Sequence, residues 1–262
     1  MMRCLVTGAS GHIGSALVRT LKREGCDVMA IGRASDLRQI GDFAPEVVFH
    51  LAWSGIDRVA RENASQIHEN IPYSLRVFRA AADAGARVWI GVGSQAEYND
   101  PHSPYGVAKH VVAMLTEKLC SLANIRYVWM RLVATYGPAD DDRHLIPMLI
   151  RALQAGETPA LTSGTQFVDY LHVDDVAEAL WAAAIHENAS GVFDLASGTA
   201  VRVRELAELV RDVVAPRAEL GFGAISDPGV ADLRADISRF REATGWSPRI
   251  NLRDGIARTA SA

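Results

Sequence analysis

Thr7-Gly8-Ala9-Ser10-Gly11-His12-Ile13-Gly14 stands between a short apolar run, Cys4-Leu5-Val6, and a segment in which Ile13, Leu17 and Leu21 recur every four residues. An apolar run of that length reads as a strand, and the four-residue recurrence reads as a helix that Gly25 stops. Three glycines at G-x-x-G-x-x-G spacing in a strand-turn-helix setting let the backbone turn tightly and approach a pyrophosphate. The phosphate charge then rests on free N–H groups at the helix N-terminus. The stretch therefore predicts a dinucleotide site built from Gly8, Ser10, Gly11, His12, Ile13 and Gly14.

Outward from it, further strand-like runs lie at residues 28–31, 47–51, 88–92 and 127–132, with segments of helical period between them. Continuous apolar strands alternating with amphipathic helices predict an α/β fold, a doubly wound parallel sheet (Rossmann) covered on both faces. Past Pro138 the rhythm weakens into helices near residues 146–155, 173–186 and 203–214 with short loops. Residues 1–138 are thus expected to form mainly the dinucleotide-binding domain. Residues 139–262 are expected to form mainly a small C-terminal substrate-binding lobe, with segments returning to the core sheet.

The 262 residues are 49% hydrophobic and 22% charged, the balance of a soluble globular chain. A net charge of -4 gives no global attraction to nucleic acid or an anionic membrane, so neither is expected as a partner. No apolar run reaches the roughly 18 residues of a membrane span. Met1-Met2-Arg3-Cys4 runs straight into the glycine stretch, which predicts no secretory leader and a cytoplasmic protein. Cys4, Cys26 and Cys120 lack metal-ligand spacing and read as buried, reduced thiols. His50 has no second ligand nearby, and Asp174-Asp175 reads as a helix start. No metal is expected.

The second strand ends at Gly32-Arg33, where an NAD site usually presents an acid to the ribose hydroxyl. A cation there suits a 2′-phosphate and points to NADP, while Asp36 close by keeps NAD possible. On the segment 103–122, Ser103 can cap and Pro104 suits the first helical position. Tyr105 and Lys109 then share one face. An ammonium near a phenol favours the phenolate, so Lys109 is expected to lower the Tyr105 pKa. A phenol so tuned trades a proton with a hydroxyl or ketone while a nicotinamide trades hydride with the adjacent carbon. Ser94 ends the fourth strand, at the sheet edge where such folds bind ligands, and can bond the same oxygen. Trp53 either faces the nicotinamide or simply fills space.

These motifs, with His50-Leu51-Ala52, Glu69-Asn70-Ile71, Ser94-Gln95-Ala96-Glu97-Tyr98, Arg131-Leu132-Val133-Ala134-Thr135-Tyr136-Gly137-Pro138, His172-Val173-Asp174-Asp175-Val176 and Thr244-Gly245-Trp246-Ser247-Pro248, resemble the extended short-chain dehydrogenase/reductase family of NAD(P)-dependent nucleotide-sugar epimerases, dehydratases and 4-ketoreductases. The resemblance implies that Ser94, Tyr105 and Lys109 are catalytic. It implies that Lys109 also holds the nicotinamide ribose and that Leu51 and Ala52 line the cofactor. Trp53 and Leu132 are further expected cofactor contacts, and Asn70, Gln95, Arg143 and Arg234 are the expected contacts to a nucleotide-diphosphate sugar. Arg202 and Arg204 are further cations available to a diphosphate.

The departures carry chemistry as well. Gln95 and Ala96 stand where the dehydratase branch has an Asp-Glu pair, and neither can move the protons of a water elimination. Ala134 and Val168 replace residues that commonly grip the nucleotide sugar. The stretches 33–47 and 98–105 are short for the group. The expectation is an NADP-dependent reductase of a nucleotide-linked 4-keto-6-deoxyhexose, with an NAD-dependent epimerase as the alternative. A non-catalytic dinucleotide-sensing protein is the alternative of another class, and the intact Tyr105/Lys109 pair argues against it. The segments 66–84 and 103–122 are too apolar for one buried face, which predicts a homodimer built on them.

Overall fold

The computed structural model describes residues 1–98, 102–227, 229 and 232–262. In chain order the first elements are β1 (Arg3–Thr7), α1 (His12–Arg23), β2 (Asp27–Ile31), α2 (Gln39–Phe43) and β3 (Val47–His50). They are followed by α3 (Ile71–Asp83), β4 (Val88–Ser94), α4 (Pro104–Ala123), β5 (Arg126–Leu132) and β6 (Ala134–Tyr136). Next come α5 (Leu145–Gln154), β7 (Ala160–Leu161), β8 (Phe167–Val168), β9 (Tyr170–His172) and α6 (Val173–Ile185). The chain ends with β10 (Gly191–Leu195), β11 (Val201–Arg202), α7 (Val203–Val214), β12 (Gly221–Phe222), α8 (Ser238–Thr244) and α9 (Leu252–Ala260).

The chain divides into two compact units. The first comprises Met1–Leu132, Ala177–Asp194 and Ser238–Trp246. Its sheet has the order β10-β5-β4-β3-β1-β2, and β2 through β5 run parallel in an unbroken series with β1. The strands are apolar on both faces because helices cover both, and Leu5, Val48, Trp89, Val112 and Trp129 sit in one buried cluster. The doubly wound α/β fold is therefore as expected, and the order of strand addition reverses at β1, which has β2 on one side and β3 on the other. That is the switch point where such sheets open a crevice at their carboxyl ends. Only α2 lies between β2 and β3, so the short stretch 33–47 holds a single helix. The other short stretch, 98–105, includes residues 99–101, which lie outside the described residues.

Two local features depart from the pattern read off the sequence. Residues 66–84 do not form one regular helix: Gln66–Asn70 is a widened π turn, and α3 begins after it. Pro72 explains the break, since it has no N–H to return to the preceding turn and its ring crowds the carbonyl of His68. The sixth strand of the sheet, β10, follows α6 in a region that showed no clear strand rhythm.

The second unit comprises Val133–Val176, Leu195–Ile237 and Ser247–Ala262. Its core joins Tyr136, Ile146, Leu149, Leu206, Val210 and Ile256, drawn from β6 and the apolar faces of α5, α7 and α9. Asp175, in the first turn of α6, is buried and accepts from the backbone N–H groups of Arg249 and Ile250. The Asp174-Asp175 pair thus starts a helix, as expected, and also ties down the C-terminal segment.

Cys4 and Cys120 are buried thiols and Cys26 is only half-buried; none is in a disulfide. Among the described residues no helix is long and apolar enough to cross a membrane, and no cluster of His, Cys, Asp or Glu could hold a metal ion.

Candidate active site

The glycine loop leaves β1 at Thr7 and passes directly under the end of β3. Gly8 has φ +71°, and a Cβ there would stand 2.8 Å from the Ala52 nitrogen. A Cβ on Gly14 would collide with the Gly8 carbonyl oxygen. Both positions therefore exclude any side chain, the first by conformation and contact and the second by contact alone. The resulting bare backbone, opening on α1 at His12, is the cradle a pyrophosphate needs, so these residues fit a dinucleotide.

Buried hydrogen bonds fix the neighbouring loop. The Thr7 hydroxyl accepts from the backbone N–H groups of Leu51 and Ala52, both at 3.1 Å. Its proton is then left for His50 Nδ1, 3.0 Å away. The imidazole consequently carries its hydrogen on Nε2, which donates to Ser74 Oγ at 2.9 Å, and Ser74 in turn donates to the Asn70 carbonyl at 2.8 Å. Burial lowers the His50 pKa to about 3, with Lys109 and Arg33 pushing the same way. His50 is thus a neutral structural link beneath the cofactor cradle, in keeping with its expected structural role.

Asn70 is spent on the protein itself. Its amide oxygen accepts from Ser54 N–H and from Arg33, and its amide nitrogen donates to the Ser54 carbonyl and to Gln66. These bonds make it a brace for the loop after β3. Arg33 is likewise drawn inward. Its guanidinium donates to Asn70 Oδ1 at 2.6 Å, pairs with Glu69 at 3.9 Å and lies 4.7 Å from the Tyr73 ring centre.

Ser94, Tyr105 and Lys109 come together at the carboxyl end of β4. The Ser103 side chain caps α4 by accepting from the Gly106 N–H at 3.1 Å, with Pro104 in the first turn, as the sequence suggests. The Ser94 hydroxyl acts on the Tyr105 phenol in the direction that favours its ionised form. Lys109 Nζ donates to the Val92 carbonyl at 2.6 Å and lies 3.9 Å from the Trp53 ring centre. Trp53 also meets Tyr105 edge to face at 6.0 Å and donates from its indole N–H to Gln66 at 2.8 Å. It therefore packs beneath the pair as well as flanking the site.

The electrostatics differ from the expectation. Burial raises the Tyr105 pKa above its ordinary value, against the opposing pull of Arg61 and of the Ser94 hydrogen bond. Lys109 sits 5.9 Å from the phenol ring centre, and burial lowers its own pKa to about 7. Desolvation outweighs the attraction because both groups are almost fully enclosed.

Four contributors were not singled out from the sequence. Glu97 is buried, accepts from the Ser94 N–H at 2.6 Å and from the Trp129 indole at 2.9 Å, and faces Lys109 electrostatically. Gly93 makes room for it, since a Cβ there would meet both Trp129 and Glu97. Gln66, fully buried, holds the loop after β3 by donating to the carbonyls of Ser54, Gly55 and Ala60. Arg61, on a 3-10 turn in that loop, places its guanidinium 4.8 Å from the Tyr105 ring centre. A glycine before a strand-end Ser and an acid three residues after it were the available signal for Glu97.

The remaining candidates are placed as follows. Leu132 pairs in register with Ser94 at the end of β5, and Gln95 opens the 3-10 turn after Ser94 and is half-buried. Within the second unit, Arg143 is paired with Asp141 at 2.8 Å, and Arg234 lies 3.8 Å from the Phe167 ring centre. Arg202 donates to the Thr165 carbonyl, and Arg204 stacks on Phe222.

The NAD dependent epimerase/dehydratase family matches residues 4–196, and the chain belongs to it. The chain is 28% identical to a UDP-glucose 4-epimerase of Mycolicibacterium smegmatis, over 98% of this chain and 97% of that protein. It is 26% identical to GDP-L-fucose synthase 1 of Arabidopsis thaliana, over 98% of this chain and 91% of that protein. Among solved structures it is similar to MoeE5 in complex with UDP-glucose and NAD, at 28% identity and a TM-score of 0.84, covering 99% and 97% of the two chains. The chain is accordingly an NAD(P)-dependent enzyme of the extended short-chain dehydrogenase/reductase type, within a group acting on nucleotide sugars.

Proposed function

We propose that this enzyme interconverts a hydroxyl and a ketone on the hexose of a nucleotide-linked sugar, with Tyr105 carrying the proton. The observation that carries the reading is the gathering of Ser94, Tyr105 and Lys109 at the carboxyl end of β4, with Lys109 Nζ bonded to the Val92 carbonyl and the Ser94 hydroxyl favouring ionisation of the Tyr105 phenol. A bound nicotinamide dinucleotide, held at Gly8, Ser10, Gly11, His12, Ile13 and Gly14 and lined by Leu51, Ala52, Trp53 and Leu132, supplies the hydride acceptor and donor. Ser94 Oγ holds the sugar oxygen in place, and Tyr105 Oη takes its proton or returns it. Lys109 orients the cofactor ribose and anchors α4 against β4. Gln95 and Ala96 offer no acid or base, so the residues support redox without loss of water.

The finer reading is an epimerase that retains NAD. Arg33 is held by Asn70, Glu69 and Tyr73, which draws its charge away from a ribose phosphate. A second reading, an NADP-dependent 4-keto-6-deoxyhexose reductase, is favoured by the missing acid at Gly32-Arg33. Gln95 is proposed to touch the sugar, and Arg143 and Arg234 are each proposed as diphosphate contacts. Incubation with UDP- and GDP-hexoses, read by proton NMR and absorbance at the nicotinamide band, separates the readings. A new epimer without net cofactor change supports the first, and stoichiometric NADPH loss with a 4-keto sugar supports the second. Neither change across the set would refute the proposed function.

We also propose a homodimer through α3 and α4. Met114, Leu115 and Leu122 are exposed on α4, and Ile71 and Leu75 are half-exposed on α3. Apolar surface of that kind on two adjacent helices suits an isologous interface. Light scattering coupled to size exclusion should give twice the mass of one chain at micromolar protein; a mass of one chain refutes the dimer.

A further inference from the structure

Two buried charges hold neighbouring backbone groups at the carboxyl end of β4. Lys109 Nζ donates to the Val92 carbonyl at 2.6 Å, and Glu97 Oε1 accepts from the Ser94 N–H at 2.6 Å. Alternate residues of a strand present their backbone groups on the same edge, so ammonium and carboxylate lie along one edge, either side of Gly93. That glycine leaves the room, because a Cβ on it would meet the Glu97 carboxylate and the Trp129 indole. Both side chains are almost fully enclosed, Lys109 at 4% exposure and Glu97 at 6%. Glu97 also accepts from the Trp129 indole at 2.9 Å, so each of its oxygens faces a donor, which selects the ionised carboxylate. Among the described residues the two charges form no direct ion pair. They act on each other through the apolar interior, where screening is weak.

We propose that Glu97 is a positioning residue for Lys109, the buried counter-charge that keeps its ammonium protonated within the site. The inference rests on Lys109 serving as the cation that works with Tyr105 in the proposed function. Enclosure alone disfavours that charge: burial brings the Lys109 pKa down to about 7, Glu97 opposes the fall and Arg61 adds to it. The charged and titratable groups around the ammonium are Glu97 after β4, Tyr105 one turn earlier on α4, Arg61 in the loop after β3 and His50 at the end of β3. His50 is neutral and Arg61 is a like charge, so Glu97 is the one carboxylate in this group. Arg131 of β5 also acts on Glu97, but Asp194 stands 3.9 Å from it and offsets its charge. Removing the Glu97 charge therefore leaves a buried ammonium without its counter-charge, which then gives up its proton at lower pH.

The test is a titration that uses no sugar, so its failure and failure of the proposed function are distinguishable. The chain has three lysines, Lys22, Lys109 and Lys118, and the other two are exposed. Carbon-13 labelling at lysine Cε lets NMR follow each of them in the full chain, with Lys109→Met assigning the buried signal. Glu97→Gln should lower the Lys109 midpoint by about one pH unit or more, the effect of removing an opposite charge close by. Glu97→Asp, which keeps the charge, should hold the midpoint closer to that of the wild type. Coupling is reciprocal, so Lys109→Met should raise the Glu97 midpoint in protein labelled at glutamate Cδ. That second arm decides the matter where Glu97→Gln does not fold. An unchanged Lys109 midpoint in folded Glu97→Gln would overturn the proposal, as would an equal fall in Glu97→Asp. An unchanged Glu97 midpoint in Lys109→Met would overturn it too.

Discussion

Glu97 accepts a hydrogen bond from the backbone N–H of Ser94 at 2.6 Å, while its second oxygen accepts from the Trp129 indole at 2.9 Å. A buried carboxylate thus joins the proposed substrate-holding serine to the core of β5. Both partners are donors, so an amide in its place must turn an NH2 toward one of them. Glu97→Gln is expected to destabilise the protein by about 1–3 kcal/mol, the cost of one unsatisfied buried donor. Urea unfolding of the two proteins checks this, and an unchanged midpoint would show that the carboxylate bears no such load.

The cradle prediction concerns Gly14. A Cβ there would collide with the Gly8 carbonyl oxygen and close on the backbone of Ala9. Gly14→Ala should cost roughly 1–3 kcal/mol of stability through overpacking and weaken dinucleotide binding at the same time. Isothermal titration with NAD and NADP, beside thermal unfolding, measures both effects. Normal affinity in a folded variant would place the pyrophosphate elsewhere.

Arg33 supplies a prediction about cofactor choice. With its guanidinium engaged by Asn70 and Glu69, Arg33→Ala should change the ratio of NADPH to NADH affinity by less than about threefold. Were the side chain bonded to a 2′-phosphate, the loss of a charge-assisted hydrogen bond would shift the ratio by roughly tenfold or more. Fluorescence titration with both cofactors at fixed ionic strength separates the two outcomes.

Acid should unfold this protein partly through His50. Its pKa is about 3 in the folded chain and about 6.5 when unfolded, because burial disfavours the charged ring. Between those values the unfolded chain binds the extra proton, so stability from this group is complete above pH 6.5 and is lost as pH falls. From pH 7.5 to pH 5 the loss should be roughly 2 kcal/mol from His50 alone. His50→Asn, which does not titrate, should flatten the dependence in denaturant melts across that range. An equal slope in the variant would assign the acid sensitivity to other groups.

The sheet was legible in the sequence because its strands are buried on both faces and therefore read as continuous apolar runs between amphipathic helices. The glycine loop was legible for a related reason: Gly8 and Gly14 have no sterically allowed substitute. Ser94, Tyr105 and Lys109 could be named from strand-end and i,i+4 placement, and the structure brings all three together. What stayed hidden depends on tertiary placement. Asn70 bonds through its amide to Ser54, Gln66 and Arg33, and no local spacing reveals those partners. Arg61 reaches Tyr105 across 44 positions of sequence through a loop whose shape is set by Gln66. The direction of the Tyr105 shift was also hidden, since an i,i+4 pair shows proximity but not how much water the pair loses.

The central claim is that the Tyr105 phenol moves the proton while hydride leaves or returns to a sugar carbon. Its most direct test uses UDP-glucose and a GDP-hexose, each carrying deuterium at C4 of the sugar. Single-turnover mixing with cofactor-loaded enzyme is quenched and read by mass spectrometry of the nicotinamide. The wild-type protein should place deuterium on the nicotinamide, and Tyr105→Phe should do so more slowly by roughly a hundredfold or more while cofactor still binds. Transfer at a near wild-type rate in Tyr105→Phe would contradict the account.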